Sequence, residues 1–572
     1  MNTLKCFFPG LVFLLMARAE CATSGPTTPN PGLRYYYELP PSGPGQTIKV
    51  DVCVYGGTPG GVSSAVQAGR MGKKVALAVF RRHVGGMTSG GLTAVDLGIP
   101  ASIGGMTRAY YHAISPVFKN TLSRSVELGF RPSQAEEAYL AMLEKAGVTV
   151  YYEHRLEGVV KQGTNIRVLT FENGDRIEAK MFIDATYEGD LLGRAGVSNF
   201  VGREDNSKYG ETVNGFQISF THQFCFPVDP YRTPGDAASG LLPGISPEAP
   251  RKRGTGDHYV QAYNFRMWAV KASDGLPFPK PEGYNRDDYA LLLRYLTTKP
   301  GFKWDLNYGT GPLKLNLGDC NNAGPFSTDL VGGSYDWPNA DYATRERIFQ
   351  AHVRYQQGLM WLLANDPEVP ENLRERVRHF GLPKDEFTET GGWPHELYVR
   401  EGRRMISDYV MTEQNCAGKV VAPDSVGLGS YNMDSHHTSR VVVKGTVKAE
   451  GDFELLAGRM RPYPISYRSI IPTQRECDNL LVPVCLSATH VAYGSIRMEP
   501  VFMILGESAG AAAALAIDAG VPVQKLPYAR LRQHLLAEGQ ILDWPITALR
   551  STPARTGSPA FQSTGNGAGR DR

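Results

Sequence analysis

Cysteine is scarce. The 572 residues contain eight, none at metal-ligand spacing. That excludes a disulfide framework and a cysteine-built metal site. An excess of one charge is missing too: 60 Lys and Arg face 57 Asp and Glu, for a net charge of +3. No dense basic patch occurs, which excludes a nucleic-acid partner. There is no tandem repeat. Beyond the N-terminus no stretch reads as long and apolar enough to cross a membrane. The rest, 42% hydrophobic and 20% charged, is an ordinary globular composition in a chain long enough for two domains.

The N-terminus reads as a signal peptide over 1–19. Lys5 is the positive end, Phe7 to Met16 the short apolar stretch, and Ala17-Arg18-Ala19 an A-x-A cleavage site. Cleavage removes Lys5 and Arg18 and leaves the chain near neutral. The expectation is a secreted or periplasmic protein with no membrane span after signal removal. No twin-arginine pair precedes the apolar stretch, so export is of the unfolded chain. Cys53 reads as a buried strand thiol, and Cys477 and Cys485 flank an apolar strand where they could pair.

The chain is organised around residues 50–65. An apolar strand from Val50 to Tyr55 runs into Gly56-Gly57-Thr58-Pro59-Gly60-Gly61 and then into small residues that read as a helix. This is the strand–turn–helix of a dinucleotide-binding unit. Glycine lets the backbone approach a pyrophosphate, and the helix N-terminus offers it free N–H groups. Pro59 suits the first turn. Thr58 stands where the middle glycine is expected, and its hydroxyl could donate to phosphate. Val79 stands where a ribose-binding acid is expected about 20 residues on.

A second glycine cluster, Gly85-Gly86-Met87-Thr88-Ser89-Gly90-Gly91, follows the second strand. With it the sequence resembles the FAD-dependent oxidoreductases of the glutathione-reductase-like superfamily. Within them it is similar to the secreted bacterial-type family that carries G-G-T-P-G-G and G-G-M-T-S-G-G. Further blocks carry the resemblance over roughly 48–520: Val260 to Arg266, Asp319 to Asn322, Leu397 to Arg404, Ser430 to His437, and Tyr493 to Pro500. It implies an α/β fold, a Rossmann-like FAD-binding domain with an inserted mixed α+β substrate domain. The expected layout is a lead-in over 20–47, the FAD domain over 48–200 and 466–545, the insert over 201–465, and a disordered tail over 546–572.

The cofactor contacts then fall on Gly56, Gly57, Thr58, Pro59, Gly60, Gly61, Gly85, Gly86, Met87, Thr88, Thr186, Glu499 and Gly506. The last helix, from Val501, aims its N-terminal half at the flavin, with Gly506 in its core. The implied activity is oxidation of a C–H bond of an alcohol or sugar-like small molecule by hydride transfer, with the electron acceptor left open. A binding protein that kept the fold without turnover, and an amine- or steroid-type flavin oxidase, are the competing readings.

Such a reaction needs a proton acceptor, for which histidine is suited near neutral pH. His436 and His437 lie in a Gly/Ser/Asn-rich stretch, and His490 follows an Ala-Thr pair. His437 is the first choice, oriented by Asp434, with His436 facing another way. His-His spacing alone makes no metal site. Arg400, Arg403 and Arg404 fall at helical spacing, as a solvated face or as a carboxylate or phosphate clamp. Arg400, Arg404, Tyr431 and Asn322 are the substrate-binding candidates, although Asn322 and its acidic neighbours equally suit a turn. Ser133 and Glu136 read as a capping box for a helix over 133–146.

Overall fold

The structure, a computed structural model, describes residues 32–39, 44–115, 118, 129–306, 311–455 and 461–544. The expected signal peptide and tail lie outside them.

A short strand β1 (Thr47–Lys49) precedes β2 (Val52–Tyr55), which is buried at every position. The turn leads into α1 (Pro59–Arg70), then β3 (Val75–Ala78), the short α2 (Gly86–Gly90), α3 (Gly105–Ile114), α4 (Pro132–Lys145) and β4 (Thr149–Tyr151). A meander follows: β5 (Leu156–Gln162), β6 (Asn165–Phe171) and β7 (Arg176–Glu178). The turn between β6 and β7, Asn173-Gly174-Asp175, is made with Gly174 at φ +87°. The chain returns through β8 (Met181–Asp184). After a long excursion that contains α5 (Tyr342–Asn365), it comes back as β9 (Leu480–Leu481), α6 (His490–Ile496) and α7 (Glu499–Ala519).

The central sheet is parallel, in the order β9-β8-β2-β3-β4. Its strands are apolar runs rather than alternating ones, as burial on both faces requires. This is the Rossmann-like FAD-binding fold read from the sequence. β1 pairs in parallel with β7 at the edge of the meander sheet. From β2 the chain steps outward to β3 and β4, then crosses to β8 on the other side. The switch point therefore lies between β2 and β8, where such sheets bind ligands at their carboxyl ends.

α1 and α7 cross closely because their contact faces are small. A Cβ on Gly506 would sit 2.1 Å from Gly60 O, and one on Gly510 2.3 Å from Ser64 O. Ser63 Oγ donates to Met503 O at 2.8 Å and Ser64 Oγ to Gly506 O at 3.0 Å. α7 is also long and apolar enough to cross a membrane, which corrects the expectation that no such stretch exists. Of its most apolar 18-residue window 94% is buried inside the protein, so it is a core helix here.

Several local expectations change. α4 starts at Pro132 without a side-chain cap, so Ser133 and Glu136 form no capping box. Ser133 bonds Glu386 instead, and Glu136 accepts from Val84 N. Residues 400–403 are not helical, and Arg404 opens a two-residue strand. Cys477 and Cys485 are both buried free thiols. The lead-in is not bare linker. The N–H groups of Tyr35 and Tyr36 donate to Glu346. The Tyr35 ring is buried and stacks on Phe80. Arg155 lies over the rings of Tyr36 and Tyr37, 4.7 and 4.4 Å from their centres.

Candidate active site

At the switch point a cleft is lined by Gly56, Gly57, Thr58, Val79, Gly86, Thr186 and Tyr187, with Tyr35, Phe80, Arg81, His83, Glu188 and Glu396 closing its sides. Gly56 sits at φ +111°, and a Cβ there would strike the Ala185 and Thr186 backbone at 2.6–2.7 Å. Gly57 is nearly as confined, against Val79 and His83 O. The α1 N-terminus opens onto this cleft. Among the described residues the N–H groups of Gly57, Thr58 and Gly60 make no hydrogen bond within the protein. Free donors at a helix start, on backbone without side chains, fit a pyrophosphate. The free volume is about 70 Å³, well below the several hundred usual for a ligand pocket, so a whole dinucleotide needs a wider cleft than this one.

The turn divides its labour differently from the sequence reading. Thr58 does not offer its hydroxyl to phosphate: it donates to Ala185 O at 2.7 Å and accepts from Gly61 N at 3.2 Å. Pro59 opens the helix. Gly60 and Gly61 serve packing, since a Cβ on Gly61 would lie 1.8 Å from Gly56 O and one on Gly60 3.0 Å from Phe502 O. Thr186 is a local cap, donating to Asp184 at 2.7 Å and accepting from Gly189 N and Asp190 N. Gly506 lies two turns into α7, against α1 and away from the cleft. The residue that starts α7 is Glu499, and its carboxylate accepts from Tyr187 Oη at 2.9 Å. Tyr187 Oη also accepts from Met87 N at 2.9 Å, so Tyr187 ties the second glycine cluster to α7. Gly85, at φ +98°, turns the chain into α2, and Thr88 is buried behind it. Burial pushes Glu499 up to about 8.

A second region lies beyond α2. A Cβ on Gly91 would come within 2.7 Å of Arg266 O, and Arg497 is two residues from Glu499. Arg266 pairs with Asp319 at 2.7 Å, and Lys314 holds the other Asp319 oxygen at 3.0 Å. Arg497 pairs with Asp434 at 2.7 Å and donates to Tyr398 Oη at 3.3 Å. Asp96 is exposed, yet Arg266, Asp319, Arg497 and Tyr431 surround it, so its carboxyl opens on a hollow. His436 completes this chamber. Its Nδ1 lies 2.7 Å from Asp329 Oδ2, and its Nε2 lies 3.8 Å from Asp434 Oδ2.

The electrostatics are uneven. Burial pushes Asp434 up to about 7 against the pull of Arg497. Burial, with the Arg400 cation beside it, holds His436 down at about 3. Burial would raise Asp329, but the Arg400 cation and the hydrogen bond from His436 outweigh it and hold that carboxyl well below its usual range. His436 is thus a neutral ring whose Nδ1–H is fixed by a carboxylate, leaving the Nε2 lone pair toward Asp434.

The expected base, His437, is elsewhere. It diverges from His436 as expected, but it faces Asp452, Arg440 and His222, and Asp434 does not orient it. His490 donates from Nδ1 to the Glu401 carboxylate at 2.7 Å, inside packed protein. Arg404 is spent on Glu204, Glu401, Ala488 O and Gly202 O, so it is no substrate clamp. Arg400 is spent on Ala262 O, Asn264 and Asp329 and acts on the chamber only by its charge. Asn322 is buried in a two-stranded ladder opposite Leu313. Of the substrate candidates only Tyr431 faces the chamber. In the sequence Asp329 suits polyhydroxyl recognition or a turn, and Arg266 and Arg497 fall in blocks of the family resemblance, but nothing in local spacing brings them together with Asp96.

Next to the chamber is a cavity of about 950 Å³ whose lining includes Thr93, Ala94, Phe130, Arg131, Trp268, Lys271 and Asp319. Asp319 belongs to both spaces.

A sequence profile of the family described as FAD dependent oxidoreductase matches residues 51–535. No curated protein matches the chain. Three partial similarities to solved structures can be named. One is a geranylgeranyl bacteriochlorophyll reductase-like protein from Thermoplasma acidophilum, at 22% identity over 27% of this chain and 43% of that one, with a TM-score of 0.20. Another is a flavoprotein/dehydrogenase from Cytophaga hutchinsonii, at 20% identity over 27% and 44%, with a TM-score of 0.21. The third is a 3-ketosteroid-delta4-(5alpha)-dehydrogenase from Rhodococcus jostii RHA1, at 12% identity over 26% and 48%, with a TM-score of 0.19. The chain spans less than half the length of each.

Proposed function

The chain belongs to the FAD dependent oxidoreductase family, and from that premise we propose that it oxidises a C–H bond of an alcohol or sugar-like molecule reaching the chamber through the 950 Å³ cavity. FAD, when bound, supplies the two-electron acceptor. The free N–H groups of Gly57, Thr58 and Gly60 would hold its pyrophosphate. Glu188 and Glu396, which line the same cleft, would take the ribose hydroxyls in place of the acid absent at Val79.

The observation that carries the reading is the Asp329–His436–Asp434 line at the edge of the chamber. Nε2 of His436 takes the substrate hydroxyl proton. Asp329 keeps the ring in the tautomer that can accept it and stabilises the cation formed. Asp434, poised near neutral pH, relays the proton onward. Trp268 and Phe130 give the cavity apolar faces beside Arg131 and Asp319, a mixture suited to a polyhydroxylated ring. A steroid or amine would use the same space with less need for these polar groups. Export through residues 1–19 is part of the proposal, and the exported protein should begin at Glu20 by intact mass.

The test is anaerobic bleaching of bound FAD by a panel of alditols, aldoses, amines and sterols. A hydroxylated substrate should bleach the wild type. His436→Asn should keep its flavin absorbance and bleach about 10²–10⁴-fold more slowly. Normal bleaching in that variant, or a matching loss in His437→Asn alone, removes His436 from the role. No bleaching by any compound favours a binding protein without turnover.

A further inference from the structure

On the outer side of the cofactor cleft, the turn after β3 meets the loop that carries Thr388–Thr390. Here His83, Glu389 and His395 bring one nitrogen or oxygen each to within 4.8 Å of one another. We propose that these three side chains bind one divalent transition-metal cation of the zinc class, with a water in the fourth position. His83 stands far in the chain from Glu389 and His395, so no ligand spacing announces the site.

The first support is the set of donors. Two imidazoles and one carboxylate are a ligand set that zinc accepts with a fourth position open. His83 Nε2 already lies 2.8 Å from Glu389 Oε1. Its other nitrogen, Nδ1, lies 3.1 Å from Glu136 Oε2. That is the outer carboxylate that orients a ligating histidine and raises its basicity. With Nδ1–H given to Glu136, the Nε2 lone pair faces a carboxylate oxygen. Either a proton on Nε2 or a metal ion has to stand between them.

The second support is independent of the first. His395 is 8% exposed, its ring stacks on His83 with centres 3.9 Å apart, and neither of its nitrogens has a hydrogen-bond partner. A buried ring with two orphan nitrogens is costly unless something fills the gap. The space beside it, lined also by Arg81, Arg82 and Thr390, has a volume of about 30 Å³, the share of one water or one small ion. The neighbouring cations are engaged elsewhere: Arg81 with Glu396 and His395 O, Arg82 with Glu153. Glu389 is open to solvent, which gives an entry path. Ligand atoms around tetrahedral zinc stand about 3.4 Å apart, and to aim both lone pairs at one ion the His395 ring must turn out of its stack on His83, where the planes lie 14° apart. The cation would pin the loop to the turn that precedes Gly85 and Gly86, and so stiffen one wall of the cofactor cleft.

The FAD-bound full chain, washed with chelator and gel-filtered, is titrated with zinc chloride by calorimetry, and its metal content is measured after a second filtration. One equivalent should be retained. His395→Ala and the surface variant Glu389→Gln should each bind at least 100-fold more weakly, with flavin absorbance unchanged. Glu136→Gln should lose about 10–100-fold. Failure of the wild type to retain zinc overturns the proposal and leaves His83 as a protonated ring between Glu136 and Glu389. Equal retention by wild type and Glu389→Gln overturns it too, because the zinc is then bound elsewhere.

Discussion

The cofactor cleft takes its floor and one wall from two short segments, 56–58 and 79–86, joined by one helix and one strand. The chamber beside it draws Asp96, Arg266, Asp319, Asp329, Asp434, His436 and Arg497 from separate stretches of the chain. In the first, local rules act directly: a strand end, a glycine at positive φ and a proline at the helix start fix the shape over a few residues. In the second, only the completed packing of a long excursion brings the charges together. The cleft is built from backbone and the chamber from side chains, so they should fail in different ways.

The largest effect is expected in the cleft. Gly61→Val places a branched side chain where even a Cβ would lie 1.8 Å from Gly56 O. The partner atom is backbone, so the turn itself must move, and overpacking of this kind costs about 1–3 kcal/mol or more. The variant should lose FAD, read as the flavin-to-protein absorbance ratio, and melt at lower temperature. Full flavin occupancy would show that the turn is not what shapes the cleft.

A smaller and purely kinetic effect is expected in the chamber. Because Asp434 is pushed up to about 7 by burial, its basic form appears as pH rises through that value. The rate of flavin bleaching by substrate should therefore climb from about pH 6 to 8 and then level. The limb belongs to the Asp434–His436 pair rather than to one residue. Asp434→Asn should bind FAD normally, bleach more slowly and lose that limb. An unchanged profile would remove Asp434 from the proton path and blur the division between the two regions.

The same contrast explains what could be read from the sequence. The strand–turn–helix of residues 50–65, the second glycine cluster and the last helix all rest on neighbours within a few positions. The functions of individual glycines did not. Gly506 and Gly60 look like ligand-facing glycines in a motif, yet each is small because another helix passes over it. Ser133 and Glu136 had the spacing of a cap, but Glu386 and His83 competed for their side chains. The sequence puts His437 first, with Asp434 close enough to orient it, in a segment whose actual pairing, with 453–455, is invisible there. The partners that distinguish the two histidines, Asp329 and Asp452, lie in other elements.

The smallest effect concerns α7, the helix that touches the cleft at one end. Glu499 at its start and Glu507 two turns later are both fully buried and both pushed up to about 8 by burial. Only Glu499 contacts the cleft, through the hydroxyl of Tyr187. Glu507 packs against α3, accepting from Met106 N at 3.0 Å and Gln540 Nε2 at 2.8 Å, so it reports the cost of burial without touching either site. In the unfolded chain a glutamate titrates at its ordinary 4.5. The folded protein therefore holds this proton more tightly than the unfolded one. The stability it contributes is complete below about pH 4.5 and is lost as pH rises through about 8. Glu507→Gln keeps an oxygen that can accept both hydrogen bonds and removes the titration. It should melt roughly 2–6 °C above the wild type at pH 9, and close to it at pH 4.5, with unchanged flavin content at both. The slope of Tm against pH is the measurement. A variant that melts lower than the wild type at every pH would mean that the carboxylate is ionised and stabilising where it stands, and that burial does not govern the acids of α7.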